Sequence, residues 1–184
     1  MQEDDQKVEE VVVAYYKELF TISQPAKFSD LLYAVQPKVT NSMNQMLTRD
    51  FNAAEVKLAL KQMHPLKAPG LDGMTPLFFQ HFWLICGEVV TSMVLDFLNH
   101  GVSPPDFNKT HIVLIPKVKT PKKVTDYRPI SLCNVVYKIA SKTITNRLKK
   151  IVPSIISDTQ SAFVHGRRIT DNVLIAFETM HHIS

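Results

Sequence analysis

Two short apolar runs, Ile112-Val-Leu-Ile-Pro-Lys117 and Asp126-Tyr-Arg-Pro-Ile-Ser-Leu132, stand on either side of a basic loop. β-branched residues next to prolines cannot continue a helix, so each run predicts a short strand, the first read as buried because its apolar residues do not alternate with polar ones. The loop between them holds Lys117, Lys119, Lys122 and Lys123 with Pro116 and Pro121, which predicts a return into an antiparallel partner. Pro129 assigns that partner to an edge or a bulge. Such a hairpin carries Lys117 and Arg128 to its mouth, and an ammonium beside a guanidinium fork suits phosphate oxygens. Solvated surface lysines are the other reading of the same pattern.

Charge separates the chain into two parts. Residues 1–108 hold 8 Lys and Arg against 13 Asp and Glu, whereas residues 109–184 hold 13 against 4. A basic half points to a polyanion, with nucleic acid or nucleotide phosphate as the expected partner. Cys86 and Cys133 are the two cysteines and form no CxxC pair, so neither a zinc site nor a disulfide framework is implied. No signal sequence opens the chain and no apolar run approaches membrane-spanning length, which predicts an intracellular protein, cytoplasmic or nuclear, with no membrane partner.

The periodicity of the first half is helical. An acidic leader is followed by a helix ending near Phe20, with Val12, Tyr15 or Tyr16, and Leu19 on one face, and residues 21–48 read as a connector with little regular structure. Asn52 and Glu55 have capping-box spacing ahead of Val56, Leu60 and Met63. Pro76 starts a helix with an aromatic face of Phe78, Phe79, Phe82 and Trp83, and a third helix from Glu88 closes on Gly101. After the hairpin, Asn134 caps a long helix whose apolar stripe is read as Val135 or Val136, Ile139, Thr143 or Ile144, Leu148 and Ile151. Lys138, Lys142, Arg147, Lys149 and Lys150 are assigned to its polar side, and Pro153 is its stop. Gln160 to Val164 reads as a short strand, Gly166-Arg-Arg168 as a turn, and Val173 to His182 as the last helix.

Two further segments carry candidate chemistry. In Lys67-Ala-Pro-Gly-Leu-Asp-Gly73 the glycines allow backbone N–H groups to approach a phosphate ahead of a helix N-terminus, although the spacing is not that of a P-loop. A structural turn in which Asp72 bonds its own backbone is the preferred reading of these residues taken alone. In Gln160 to Asn172 an amide, the Phe163 ring, Gly166 and the arginines 167 and 168 suit a nucleic-acid strand through hydrogen bonds, stacking and phosphate contact. The alternative places Phe163 in a core and pairs Arg167 or Arg168 with Asp171. The seven histidines form no HExxH or HxH, and Ser131 and Cys133 lack a base and an orienting acid. No catalytic and no metal-ligating residue is assigned.

These segments, together with Gln62-Met-His-Pro-Leu-Lys67, Phe78-Phe79-Gln80 and Asn134-Val-Val-Tyr-Lys-Ile-Ala-Ser-Lys142, closely resemble the reverse transcriptase of plant-type non-LTR retrotransposons, the long interspersed element class. The resemblance runs from Phe51 to Ser184, and residues 1–50 resemble the leader and connector that precede the polymerase. It implies an α+β fold comprising the fingers and the first part of the palm of a right-hand polymerase, with a helical N-terminal half followed by a short antiparallel hairpin and helices. It implies that Lys117 and Arg128 contact the incoming nucleotide or the template. It also assigns Lys67 and Gly70, and Gln160, Phe163, Gly166 and Arg167, to the nucleic acid. Leu71 and His165 depart from the prolines usual at those places. The implied partners are an RNA template, a DNA primer and a deoxynucleoside triphosphate, and the full-length enzyme of this family takes magnesium (Mg2+). The family's metal-binding aspartates belong to blocks that follow the last helix, so residues 1–184 read as a truncated domain expected to bind no metal and to be inactive alone. A non-catalytic nucleic-acid-binding module and an unstable remnant are the alternatives.

Overall fold

The computed structural model describes residues 2–22, 36–157, 160, 161, 164 and 166–183. It is an α+β structure whose described residues form eight α-helices, one 3-10 turn and one antiparallel hairpin. Two compact units divide the chain: Met1–Gln36 with Thr110–Cys133, and Pro37–Lys109 with Asn134–Ser184.

The first unit contains helix α1, Gln2–Phe20, and the strands β1, Thr110–Pro116, and β2, Tyr127–Cys133. On α1 the buried residue is Tyr16, whose ring stacks on Phe20 with centroids 5.9 Å apart. Leu19, expected on the buried face, is exposed. The 3-10 turn Val124–Asp126 precedes β2 and touches α1. Asp126 organises that turn, its Oδ2 accepting from the backbone N–H of Lys122 at 2.9 Å and of Lys123 at 3.0 Å.

Helices build the second unit: α2 Asn41–Thr48, α3 Ala53–Lys61, α4 Pro76–His81, α5 Trp83–His100, α6 Val135–Leu148, α7 Val152–Ile155 and α8 Ile169–Ile183. Its core joins Val56, Ala59 and Leu60 of α3, Val90 and Val94 of α5, and Val135, Ile139 and Ala140 of α6, closed by Met63, Phe79 and Phe107. Truncating a fully buried aliphatic of this size costs about 2–5 kcal/mol, so these positions carry most of the unit's stability.

Local rules explain most of the boundaries. Asn52 and Glu55 form the expected capping box, and Gly101 ends α5 at φ 69°. Gln80 Nε2 donates to the carbonyls of Leu60 and Met63, closing the C-terminus of α3. Residues 41–48, read as irregular, are helical because Thr40 caps them, its Oγ1 accepting from the N–H of Met43. Pro153 stands in the first turn of α7 and so begins a helix as well as following one. Only Phe79 of the aromatic face is buried, while Phe78 and Phe82 are exposed. Residues 160, 161 and 164 are not in a strand, and residues 162 and 163 lie outside the described set.

One correction concerns charge. The buried stripe of α6 runs through Val135, Ile139, Thr143 and Arg147 in steps of four, and Ile144 and Leu148 are exposed instead. Arg147, assigned from the sequence to the polar side, is 2% exposed. Its Nε and Nη2 donate to the Glu55 carboxylate at 2.8 Å each, a bidentate pair, while the guanidinium also donates to the carbonyls of Leu47, Arg49 and Asp50. It lies 3.5 Å over the Phe51 ring. A buried arginine is tolerated where its donors find partners, and here both the cap of α3 and the junction after α2 supply them.

Candidate nucleic-acid and nucleotide interface

The hairpin register decides which side chains share a face. Ile115 pairs with Arg128 and Pro116 with Tyr127, and the pairing extends to Lys117, whose N–H donates to the Asp126 carbonyl at 2.7 Å. Directly opposed residues project to one side, and so do residues two apart. Val113, Ile115 and Lys117 therefore share a face with Arg128 and Ile130. These five are all exposed, whereas on the other face Leu114, Tyr127 and Pro129 are half-buried and Ile112, Pro116 and Ser131 are exposed. This corrects the expectation of a buried strand: no residue of β1 is buried, and the strand is open on the face that carries the cations.

Lys117 and Arg128 are thus diagonal neighbours, a relation that places such Cβ atoms about 7–8 Å apart. Lys117 Nζ donates to the Thr125 carbonyl at 2.8 Å, which holds the ammonium over the turn and leaves two of its three protons unused among the described residues. The Arg128 guanidinium has no hydrogen-bond or ion-pair partner among the described residues. Beside them Asp126 is held below the ordinary carboxylate range by the backbone N–H groups of Lys122 and Lys123, with the Lys117 charge adding to the effect. It is the scaffold of the turn.

In the helical unit the Lys67–Gly73 loop meets the start of α6. A Cβ on Gly70 would lie 2.2–2.6 Å from atoms of Asn134, so the glycine is required by close packing. Lys138 Nζ donates to the Ala68 carbonyl at 2.7 Å, and Asp72 Oδ1 accepts from the N–H of Met74 at 3.1 Å. Two segments singled out in the sequence, Lys67–Gly73 and Asn134–Lys142, are therefore one assembly, with the Lys67 side chain exposed on it.

The block after α7 is organised by Arg167, which donates from Nη1 to the carbonyls of Ser157 and Gln160. Gly166 has φ 82°, and the Asp171 carboxylate accepts from the Arg168 N–H as a cap for α8. Gln160 is exposed, while Phe163 lies outside the described residues. Asn172 Nδ2 reaches Ser161 Oγ at 3.3 Å.

With this geometry in place the comparisons with known proteins are informative. Residues 115–183 match the family described as reverse transcriptase (RNA-dependent DNA polymerase). Residues 115–183 are thus part of a reverse transcriptase domain. It is 31% identical over 182 residues to the transposon TX1 uncharacterized 149 kDa protein of Xenopus laevis, covering 97% of this chain and 14% of that protein. It is 26% identical over 178 residues to the retrovirus-related Pol polyprotein from type-2 retrotransposable element R2DM of Drosophila melanogaster, covering 95% of this chain and 15% of that one. The chain thus spans about one seventh of the length of these relatives. The family match begins inside β1 and takes in Lys117, Arg128, Gln160, Gly166 and Arg167, while Lys67 and Gly70 precede it.

Reverse transcriptases generally use magnesium, so the acidic side chains were compared with that requirement. Among the described residues no three of His, Cys, Asp or Glu come together. Glu55 is engaged by Arg147, and Asp126 and Asp72 by backbone N–H groups. The described residues do not fit such an ion. Among the described residues no helix is long and apolar enough to cross a membrane.

Proposed function

We propose that this part of the domain grips substrate for RNA-templated DNA synthesis. The nucleic-acid template and primer and the incoming deoxynucleoside triphosphate are its partners. The observation that carries the reading is the open face of the hairpin, where the register sets Lys117 beside Arg128 over an aliphatic shelf of Val113, Ile115 and Ile130. Two cations hold phosphate oxygens by charge-assisted hydrogen bonds, and the shelf accepts the apolar faces of sugar and base. Lys67 and the Gln160, Phe163, Gly166 and Arg167 block are proposed to meet the nucleic-acid strand. Within the non-LTR class we place the chain among plant-type elements, on the motif resemblance, and inside the cell in cytoplasm or nucleus, where RNA templates are found.

The test is equilibrium binding of a fluorescent deoxynucleoside triphosphate and of an RNA oligonucleotide to the 184-residue chain and to Lys117→Ala and Arg128→Ala. Each lost charge-assisted bond is worth about 1.5–3 kcal/mol, which predicts a fall in affinity of about tenfold or more for each variant. Unchanged affinity in both removes the hairpin from the site.

A further inference from the structure

Away from the hairpin, the helical unit contains a second basic surface to which no role has been given above. We propose that the groove between α3 and α6 is a binding site for the phosphodiester backbone of a nucleic acid, and this rests on the nucleic-acid reading just given. Leu58 on α3 and Gln62 at its C-cap face Lys142 and Asn146 on α6, with Lys149 and Lys150 just past its end, across an open groove of about 460 Å³. The spacing accounts for the lining: residues four apart stand on one face of a helix, so 142 and 146 share a wall that the turn after α6 continues to 150.

Three features distinguish the groove from a solvated face. First, its one carboxylate is already neutralised, because Glu55 at the inner end is paired with the buried Arg147 and accepts a second contact from Arg49 at 3.5 Å. The three lysines are therefore uncompensated, and none of their ammonium groups has a hydrogen-bond or ion-pair partner among the described residues. Second, Asn146 Nδ2 is shielded from solvent and has no hydrogen-bond partner. A desolvated donor without an acceptor is costly, and an oxygen-bearing ligand that draws the amide outward into the groove removes the cost. Third, Leu58 is 49% exposed beside these polar groups and offers an apolar contact for a sugar. Lysines beyond the end of a helix also complement its dipole. That role explains neither Lys142, in the middle of α6, nor the amide of Asn146.

The experiment is a salt series of binding by the 184-residue chain to single-stranded RNA and to DNA of the same sequence, with Lys142→Gln/Lys149→Gln/Lys150→Gln and, separately, Asn146→Leu. Each lysine on a single-strand phosphate contributes about 0.7 to the slope of log affinity against log salt, so the triple variant is expected to lose about 2 from the slope. Its affinity at low salt should fall about tenfold or more. Asn146→Leu should bind more weakly while its unfolding midpoint holds or rises, a combination that a merely structural asparagine would not give. Equal loss on both strands assigns the backbone as the ligand, and loss on RNA alone assigns contacts to the ribose as well. An unchanged slope in the triple variant, with wild-type binding intact, overturns the groove and leaves the proposed function standing. Absence of binding by the wild-type chain overturns both. If the triple variant does not fold, crosslinking of thiouridine-substituted RNA to the wild-type chain decides: adducts within 142–150 support the groove, and adducts confined to other segments overturn it.

Discussion

Arg128 and Arg147 stand in two regions that use the same side chain in opposite ways. In the helical unit Arg147 is withdrawn from solvent and its donors are met by Glu55 and by backbone carbonyls, so its charge holds α6 to α3 and to the chain after α2. In the hairpin unit Arg128 is exposed, with no partner among the described residues, on a two-stranded sheet whose open face buries little apolar area. A satisfied charge stabilises a fold, and an unsatisfied one is available to a ligand. The difference assigns stability to the one region and binding to the other, and substitutions should separate the two.

The largest effect belongs to Arg147. Arg147→Met keeps much of the volume but leaves Glu55 and three carbonyls without their donor, and breaking such a buried pair from one side costs about 3–5 kcal/mol. Urea denaturation of the chain should show that loss, and Arg147→Lys should recover only part of it, because an ammonium cannot reproduce the bidentate fork. A cost below about 0.5 kcal/mol, the range of ordinary surface substitutions, would erase the contrast between the two arginines.

Gly70→Ala ranks next. The added methyl has no room beside Asn134, and overpacking of this kind costs about 1–3 kcal/mol. Asn134→Gly in the same chain should restore little of it, since the backbone N and Cα of residue 134 also lie 2.4 and 2.6 Å from the added carbon. A double variant as unstable as Gly70→Ala in thermal unfolding would show that the Lys67–Gly73 loop is held against the α6 backbone, and full recovery would place the contact on the Asn134 side chain alone.

These sites also show what was readable from the residues alone. The capping box of Asn52 and Glu55, the stop at Gly101 and the two hairpin strands were legible because each depends on neighbours in sequence. Arg147 was not, because its partners lie 92 to 100 residues away and its lysine-rich surroundings look like a solvated face. One signal was present: Arg147 continues the four-residue steps of Val135, Ile139 and Thr143, whereas Leu148 breaks them. Of the candidate site, the pairing that sets Lys117 near Arg128 followed from the two strands. The openness of their face did not, since periodicity reports which residues share a face and not what covers it. The role of Gly70 was equally hidden, as nothing near it in sequence indicates Asn134.

Acid should act on the two regions unequally. Arg147 chiefly, with the Asn52 cap, holds the Glu55 carboxyl below its ordinary value, against the desolvation that raises it. A carboxylate with a depressed folded pKa contributes stability that is fully present above the unfolded value of 4.5 and is lost as pH falls through the lower folded value. Stability of the helical unit, followed by unfolding through Trp83 fluorescence, should therefore fall below pH 4.5, and Glu55→Gln should flatten that part of the profile. Asp126 has the same sign below 3.8, from its two backbone N–H bonds, but it is only half-buried and its loss should loosen the turn alone.

The smallest expected change in stability is the most discriminating. Lys117→Gln and Arg128→Gln remove charges that hold little of the fold, so each should shift the unfolding free energy by no more than about 0.5 kcal/mol. Lys117 gives up one hydrogen bond to the Thr125 carbonyl, at a surface where water replaces it. Arg128 gives up no such bond among the described residues. Measured beside the binding titrations, a null effect on stability joined to a lost affinity assigns these cations to the ligand. A loss of 2 kcal/mol or more on either would instead make the hairpin a second structural node, of the Arg147 kind, and would move the search for the phosphate grip to the helical unit.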